Sequence, residues 1–584
     1  MKEKIGKIII WLVMLVSVAA GFMYMLHPQP QGTLVDKYPE VKQRIILVPL
    51  DSRPPCQELV QANGRTAGIE VVVPPHELMD YYTLAGDTAG LRKWLQQELP
   101  RCDGAIISID QLLYGGLLAS RERTADKKEI EDLLAFLQQL HQENIGKTIY
   151  AFNILPRMQP PAAIEGYQDR KNLLEWSRLQ GMLVLGQWPE DGTAADAESL
   201  EDTAGEEMTK FTDKQQVAEK IRELEADIPK EQLAQYRELY ANNGYLNRQL
   251  ALMAQQGTIK QLVLGQDDGE KYSLPNIEKR ELQEFFQHNH ISEKQAVILH
   301  GADELALGML AEMQLSQQKQ NMSFYLDYNV PETEDQVMPY MAVSMGETVR
   351  ERLRFTESQE VSDSQAADAV LFISCGDADN MDRRAEAARK IENYLAQGKM
   401  VALVDMSQHF QAQETLFPVL LKSKMPLNGL AAYSGWNTAS NSIGTAIAQV
   451  QLYHATLANA SAEEVPAVVY SNIVNLNNRF CEDYYYLKDV ITLVNDRLHK
   501  AGYENVYDLD LEHNYQWSLQ MLRQAMGQSI GYLGHSQAME REFTVTAAGR
   551  SFVFTMRNLQ GVMYFPWPRT FEVNMQTQME LYAK

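Results

Sequence analysis

From Arg44 onward the chain repeats one local pattern, a short apolar run followed by an amphipathic stretch. The runs are RIILVPL (44–50), IEVVVPP (69–75), GAIISI (104–109), TIYAFNIL (148–155), QLVLG (261–265), AVILHG (296–301), SFYLDY (323–328), AVLFIS (369–374), VALVDM (401–406) and LAAYSG (430–435). They are rich in Val, Ile and Leu and lack the strict alternation of a half-exposed strand. Each therefore reads as a strand buried on both faces of a parallel sheet. Helical stretches at 90–99, 126–143 and 384–397 fall between them. This βα repetition confines the chain to the α/β class. The run count fits a (β/α)8-like barrel with additional βα units or doubly wound sheets, and the sequence leaves both open. From about 462 the pattern changes to helical segments. REFTVTAAGRSFVFTMRN (541–558) then reads as a hairpin turning at Ala-Gly, and the prolines of YFPWPRTFEV (564–573) suit an edge or loop. The acidic, helix-prone insertion at 186–240 reads as solvated faces and a loop.

The N-terminus is organised differently. Lys2, Lys4 and Lys7 precede an uncharged apolar run from Ile8 to Leu26. At a rise of about 1.5 Å per residue it spans about 28 Å, enough for a bilayer core. The lysines place the N-terminus in the cytoplasm and the bulk of the chain outside. A signal peptide cut after Ser17-Val18-Ala19 is the alternative, but the apolar run continues past that site. The expected division is an anchor at 1–27, a linker at 28–43, an α/β domain at 44–330, further βα units at 331–461, and a helical and hairpin region at 462–584. The main domain is thus expected outside the cytoplasm, tied to the cell membrane by a single span.

Composition narrows the function. Lys and Arg total 53 against 77 Asp and Glu, a formal charge of −24. That is a poor surface for phosphate backbones, so nucleic acid is not an expected partner. Four cysteines without a CxxC pair suggest neither a disulfide scaffold nor a zinc site. No P-loop, GxGxxG after the first strand, HExxH or GxSxG occurs. No cofactor is expected.

In parallel α/β folds ligands bind beyond the carboxyl ends of the strands. There this chain places Asp51 and Arg53, Asp110 with Tyr114 and Arg121, Asn153 with Arg157, Asp267 and Asp268, Asp303 and Glu304, and Asp327 with Asn329. The last run opens into SGWNTASNSIG, with Trp436, Asn437 and Asn441. A single strand-end Asp commonly caps a helix or turn. Two adjacent pairs, Asp267-Asp268 and Asp303-Glu304, are a different matter. Neighbouring carboxylates repel, which raises one pKa above the other and leaves an acid beside a base. These four are the expected catalytic residues. The arginines suit carboxylates or an anionic substrate group. Trp436 and Tyr114 offer faces for sugars, and the amides offer hydrogen bonds to hydroxyls.

The motifs LVPLDSRPP (47–55), DQLLYGGLLASR (110–121), GQDDG (265–269), GADE (301–304), GWNTASNSIGTAIA (435–448) and FPWPRTFEV (565–573) resemble, in order, domain-of-unknown-function family 4127, a bacterial family of uncharacterised activity. That resemblance runs from about 44 to the C-terminus and implies no catalytic assignment. A shorter one links LVLGQDDG (262–269) and FYLDYNVPE (324–332) to substrate-assisted N-acetylglucosaminidases. It implies that Asp267 polarises an acetamido group, Asp268 is the general acid, and Asp327 and Asn329 hold sugar hydroxyls.

These features lead to a glycoside hydrolase acting on a cell-surface or wall glycan. A divalent-metal hydrolase, such as a phosphoesterase or deacetylase with Asp51, Asp267, Asp268, Asp303 and His300 as ligands, is the first alternative. A non-catalytic glycan- or envelope-binding protein is the second.

Overall fold

A computed structural model describes residues 32–161, 164, 166–188, 211–376, 380–409 and 411–584. The expected anchor at 1–27, the start of the linker, the acidic stretch 189–210 and the strand-end aspartates 377 and 379 lie outside the described residues. Among the described residues no helix is long and apolar enough to cross a membrane.

All ten apolar runs form strands, in two open sheets rather than a barrel. The first sheet contains β2 (Gln43–Val48), β3 (Ile69–Val72), β4 (Gly104–Ser108), β5 (Thr148–Leu155), β6 (Gln261–Gln266) and β7 (Ala296–His300). Its order is β3-β2-β4-β5-β6-β7, and every pairing is parallel. The second contains β8 (Ser323–Tyr328), β9 (Gln359–Glu360), β10 (Ala369–Cys375), β11 (Met400–Met406) and β12 (Ala432–Ser434). Its order is β12-β11-β10-β8-β9, again wholly parallel. Both sheets therefore share one doubly wound plan. The second strand in sequence lies outside the first, and the third returns to the first strand's other side. Such a reversal opens a crevice at the strands' carboxyl ends.

The lack of alternation in the runs has a direct cause. In β2, Ile46 and Val48 face one buried cluster while Ile45 and Leu47 face another. Successive side chains point to opposite faces, so a strand with helices on both sides is apolar throughout. Between β5 and β6 the chain adds helices Tyr167–Leu185, Lys214–Asp227 and Lys230–Gln255. Trp176, Leu179, Ile221, Leu224 and Tyr236 close a small core of their own there. The described part of the insertion is thus a packed helical unit rather than only solvated faces.

The C-terminal region forms an antiparallel sheet of β13 (Phe543–Ala547), β14 (Arg550–Tyr564) and β15 (Asn574–Ala583). Ala547 pairs with Arg550 across Ala548 and Gly549, both at positive φ, as a two-residue hairpin requires. A fourth strand, β1 (Thr33–Val35), comes from the expected linker and pairs antiparallel with β15. The linker reading is corrected there: β15 offers an unpaired edge and Thr33-Leu34-Val35 covers it.

Candidate active site

The carboxyl ends of both sheets open onto one cleft of about 1850 Å³. Its floor begins after β2. Asp51 is fully buried and accepts from the Arg53 backbone N–H at 3.0 Å, from Nε at 2.9 Å and from Nη2 at 2.7 Å. That fork fixes the guanidinium. The remaining donors reach Asp303 Oδ1 at 2.7 Å and Glu572 Oε1 at 3.4 Å.

Asp303 follows β7, which is four strands from β2, and reaches Arg53 because the chain doubles back across the sheet's end. Glycine makes the crossing possible. A Cβ on Gly265 would stand 2.7 Å from the Gly301 carbonyl oxygen, and Gly301 itself has φ +117°. The Trp436 indole N–H donates to Asp303 Oδ2 at 3.4 Å, linking the loop after β12 to the same carboxylate. Burial raises the Asp303 carboxyl, the Arg53 charge opposes this, and Asp51 and Asp267 add to it.

Asp267 and Asp268 follow β6 and stand in different electrostatic states. Burial would raise Asp267, but its ion pair with Arg121 and the charge of Arg157 hold it below the usual carboxylate range. Asp268 is pushed up to about 7, first by burial and then by the Asp267 charge. Arg121, Arg157, Asp267, Asp268 and Asp303 all line the cleft. One ionised and one protonated carboxyl thus share a wall, the arrangement acid–base chemistry uses.

The helical insertion contributes Tyr167 and Arg170 to another wall. Opposite lie Asn437 and Thr438, with part of the π-helical segment Phe480–Val490. Extended π-helix is rare and often marks functional positions. Within it Lys488 is buried, lowered to about 8 by that burial, and donates to the Gly435 carbonyl at 3.0 Å. Arg569 and Phe571 close the rim. The Arg569 guanidinium lies 4.9 Å from the Trp567 ring centroid and 5.4 Å from that of Phe571, and is ion-paired with Glu572.

Not every expected site residue faces the cleft. Glu304 is 1 % exposed, ion-paired with Arg352, and packed against Gly444, where a Cβ would come within 2.5 Å of its Cγ. Its expected partnership with Asp303 is corrected: the two side chains diverge, and Glu304 points beneath the Ala439–Asn459 helix. Asp51 lies under Arg53 as its anchor. Asp110 accepts from the Ile154 N–H at 2.9 Å and, with Tyr114, borders a smaller cavity beside Arg121. Asn153 donates to Asn247 inside the helical layer at 2.8 Å. Asn441 lines the cleft but spends its oxygen on the Ala302 N–H at 3.2 Å.

Asp327 and Asn329 belong to the second sheet, outside the cleft lining. Lys390 and Tyr394 donate to Asp327 at 3.0 and 2.9 Å, and Asn329 accepts from Thr333 at 2.8 Å. The N-acetylglucosaminidase similarity implies one barrel mouth holding both its motifs, whereas here they end on different sheets. His300 faces Glu351 at 2.8 Å and Lys279 at 3.2 Å rather than the strand-end aspartates. Among the described residues no group of three or more His, Cys, Asp or Glu is placed to hold a metal ion.

Arg170, Lys488, Arg569 and Phe571 went unrecognised in the sequence. For the last two a signal existed: FPWPRTFEV sets an arginine among aromatic residues, which a plain edge or loop does not need.

No curated protein matches the sequence. The family described as a protein of unknown function, DUF4127, matches residues 45–576, which include both sheets, the cleft and most of the C-terminal region. The chain belongs to that family.

Proposed function

We propose that the chain is a glycoside hydrolase acting on an extracytoplasmic envelope glycan, tethered by the apolar segment at 8–26. One observation carries the reading: adjacent Asp267 and Asp268 face one large cleft, the first ionised against Arg121 and the second protonated near neutral pH. Asp268 gives its proton to the glycosidic oxygen as the bond from the anomeric carbon breaks. Ionised Asp267 stabilises the positive charge that develops on the sugar. Water adds its oxygen to the anomeric carbon, and its proton restores Asp268. The volume supports a polymeric substrate, since about 300–1,000 Å³ holds a small molecule. Phe571 at the rim supports carbohydrate contact, whereas Trp436, its ring centroid 6.0 Å away, is buried outside the cleft lining.

The test is incubation of the full chain with peptidoglycan, chitooligosaccharide, polyuronate and polyol-phosphate glycans, with reducing ends as readout. At least one substrate should be cleaved, and Asp268→Asn should lower kcat at least about 100-fold. Full activity of Asp268→Asn on every cleaved glycan would remove the acid assignment. Tight binding without turnover would favour a binding protein instead.

A further inference from the structure

The cleft is lined by many cations although the chain is acidic overall. Three of the arginines have carboxylate partners: Arg53 meets Asp51, Asp303 and Glu572, Arg569 meets Glu572, and Arg121 meets Asp267. Arg157 differs from these three. Its guanidinium makes no ion pair with a described residue, and its Nε is buried without a hydrogen-bond partner. Arg121 Nε is likewise buried and unpartnered.

The two guanidinium groups are close enough to oppose each other electrostatically; after burial, the Arg121 charge is the main influence lowering Arg157. A half-buried cation beside another cation costs free energy unless an anion compensates. Asp268 and Asp267 oppose that lowering only from a distance, without an ion pair to Arg157. Sugar hydroxyls satisfy hydrogen bonds but not charge. A carboxylate or phosphate does both, accepting paired N–H groups from the planar fork.

We propose that Arg157, with Arg121 beside it, is the subsite for an oxyanion substituent, carboxylate or phosphate, on the sugar next to the bond that Asp268 protonates. The binding claim stands on the arginine geometry; only the phrase about the bond rests on the hydrolase reading.

The test uses titration calorimetry on the full chain carrying Asp268→Asn, so that turnover does not interfere. The probes are trigalacturonate, a glycerol-phosphate trimer and chitotriose. At least one anionic probe should bind tenfold or more tightly than chitotriose, and adding Arg157→Gln should abolish that preference. Arg157→Lys should restore part of it, which a purely structural arginine would not do. Preference for trigalacturonate identifies the carboxylate; preference for the trimer identifies the phosphate. Equal affinity for all three probes, or a preference unchanged by Arg157→Gln in a variant of unaltered melting temperature, overturns the proposal. Anion preference without cleavage of any glycan by the unmodified chain leaves this subsite standing and removes the hydrolase. Cleavage of a neutral glycan at an equal rate by Arg157→Gln does the reverse.

Discussion

Arg53 and Asp303 are 250 positions apart in the chain, yet Arg53 Nη2 lies 2.7 Å from Asp303 Oδ1 in the floor of the cleft. The contact ties the end of β2 to the crossing segment after β7. Both side chains are nearly dry, at 6 % and 5 % exposure, so losing the cation leaves buried Asp51 and Asp303 without their ion pairs, Asp303 keeping the Trp436 N–H and Glu572 keeping Arg569. Arg53→Met is expected to destabilise the fold by about 3–5 kcal/mol in urea denaturation. A loss under about 1 kcal/mol would mean that the carboxylates rearrange freely.

Gly265 lets the segment from Gly301 to Leu305 cross the sheet. With a Cβ there, the nearest atoms would be Leu305 Cδ1 at 2.5 Å and the Gly301 oxygen at 2.7 Å. Gly265→Ala should therefore cost about 1–3 kcal/mol. Because the shift is passed to Asp303, catalytic turnover should fall by more than the loss of folded protein explains. Equal losses would show that Asp303 keeps its place.

Several carboxyls outside the cleft acidify the fold's preferred range. Glu278 and Glu482 are pushed up to about 8, chiefly by burial. Between about pH 4.5, where unfolded carboxylates ionise, and about pH 8, the native state holds more protons than the unfolded one, so stability falls as pH rises. The melting temperature should drop from pH 6 to pH 8.5. Glu278→Gln, which keeps a side chain beside the Asn247 amide now 3.3 Å from Oε1, should reduce that slope. A melting temperature that rises over the interval would contradict the account.

Trp567 holds the C-terminal segment over the first sheet. Its indole N–H donates to Ser52 Oγ at 2.8 Å, and its ring is almost wholly buried. Trp567→Phe should cost about 0.5–1.5 kcal/mol, the worth of one hydrogen bond. Trp567→Ala should cost about 3–5 kcal/mol by leaving a cavity. Denaturation of the pair separates the bond from the packing.

The strands were legible because local burial on both faces writes itself into runs such as RIILVPL. The hairpin was legible because Ala548-Gly549 interrupts two alternating stretches. What escaped was non-local. Nothing near Glu304 announces that Gly444, on a distant helix, draws it away from the cleft. Asp327 ends a strand like Asp267, and only pairing order assigns them to different sheets. The barrel and the doubly wound sheet share one βα rhythm, so strand order alone separates them. Arg569 enters the cleft through a loop 516 residues from Arg53, across a Glu572 that both arginines share.

The central claim is that Asp267 and Asp268 occupy opposite protonation states in one cleft. Infrared difference spectroscopy of the full chain against Asp268→Asn, recorded from pH 4 to 9, reads the Asp268 carboxyl directly. The account predicts a protonated C=O band that disappears with a midpoint near pH 7. A midpoint near 4, the ordinary carboxylate value, would contradict it.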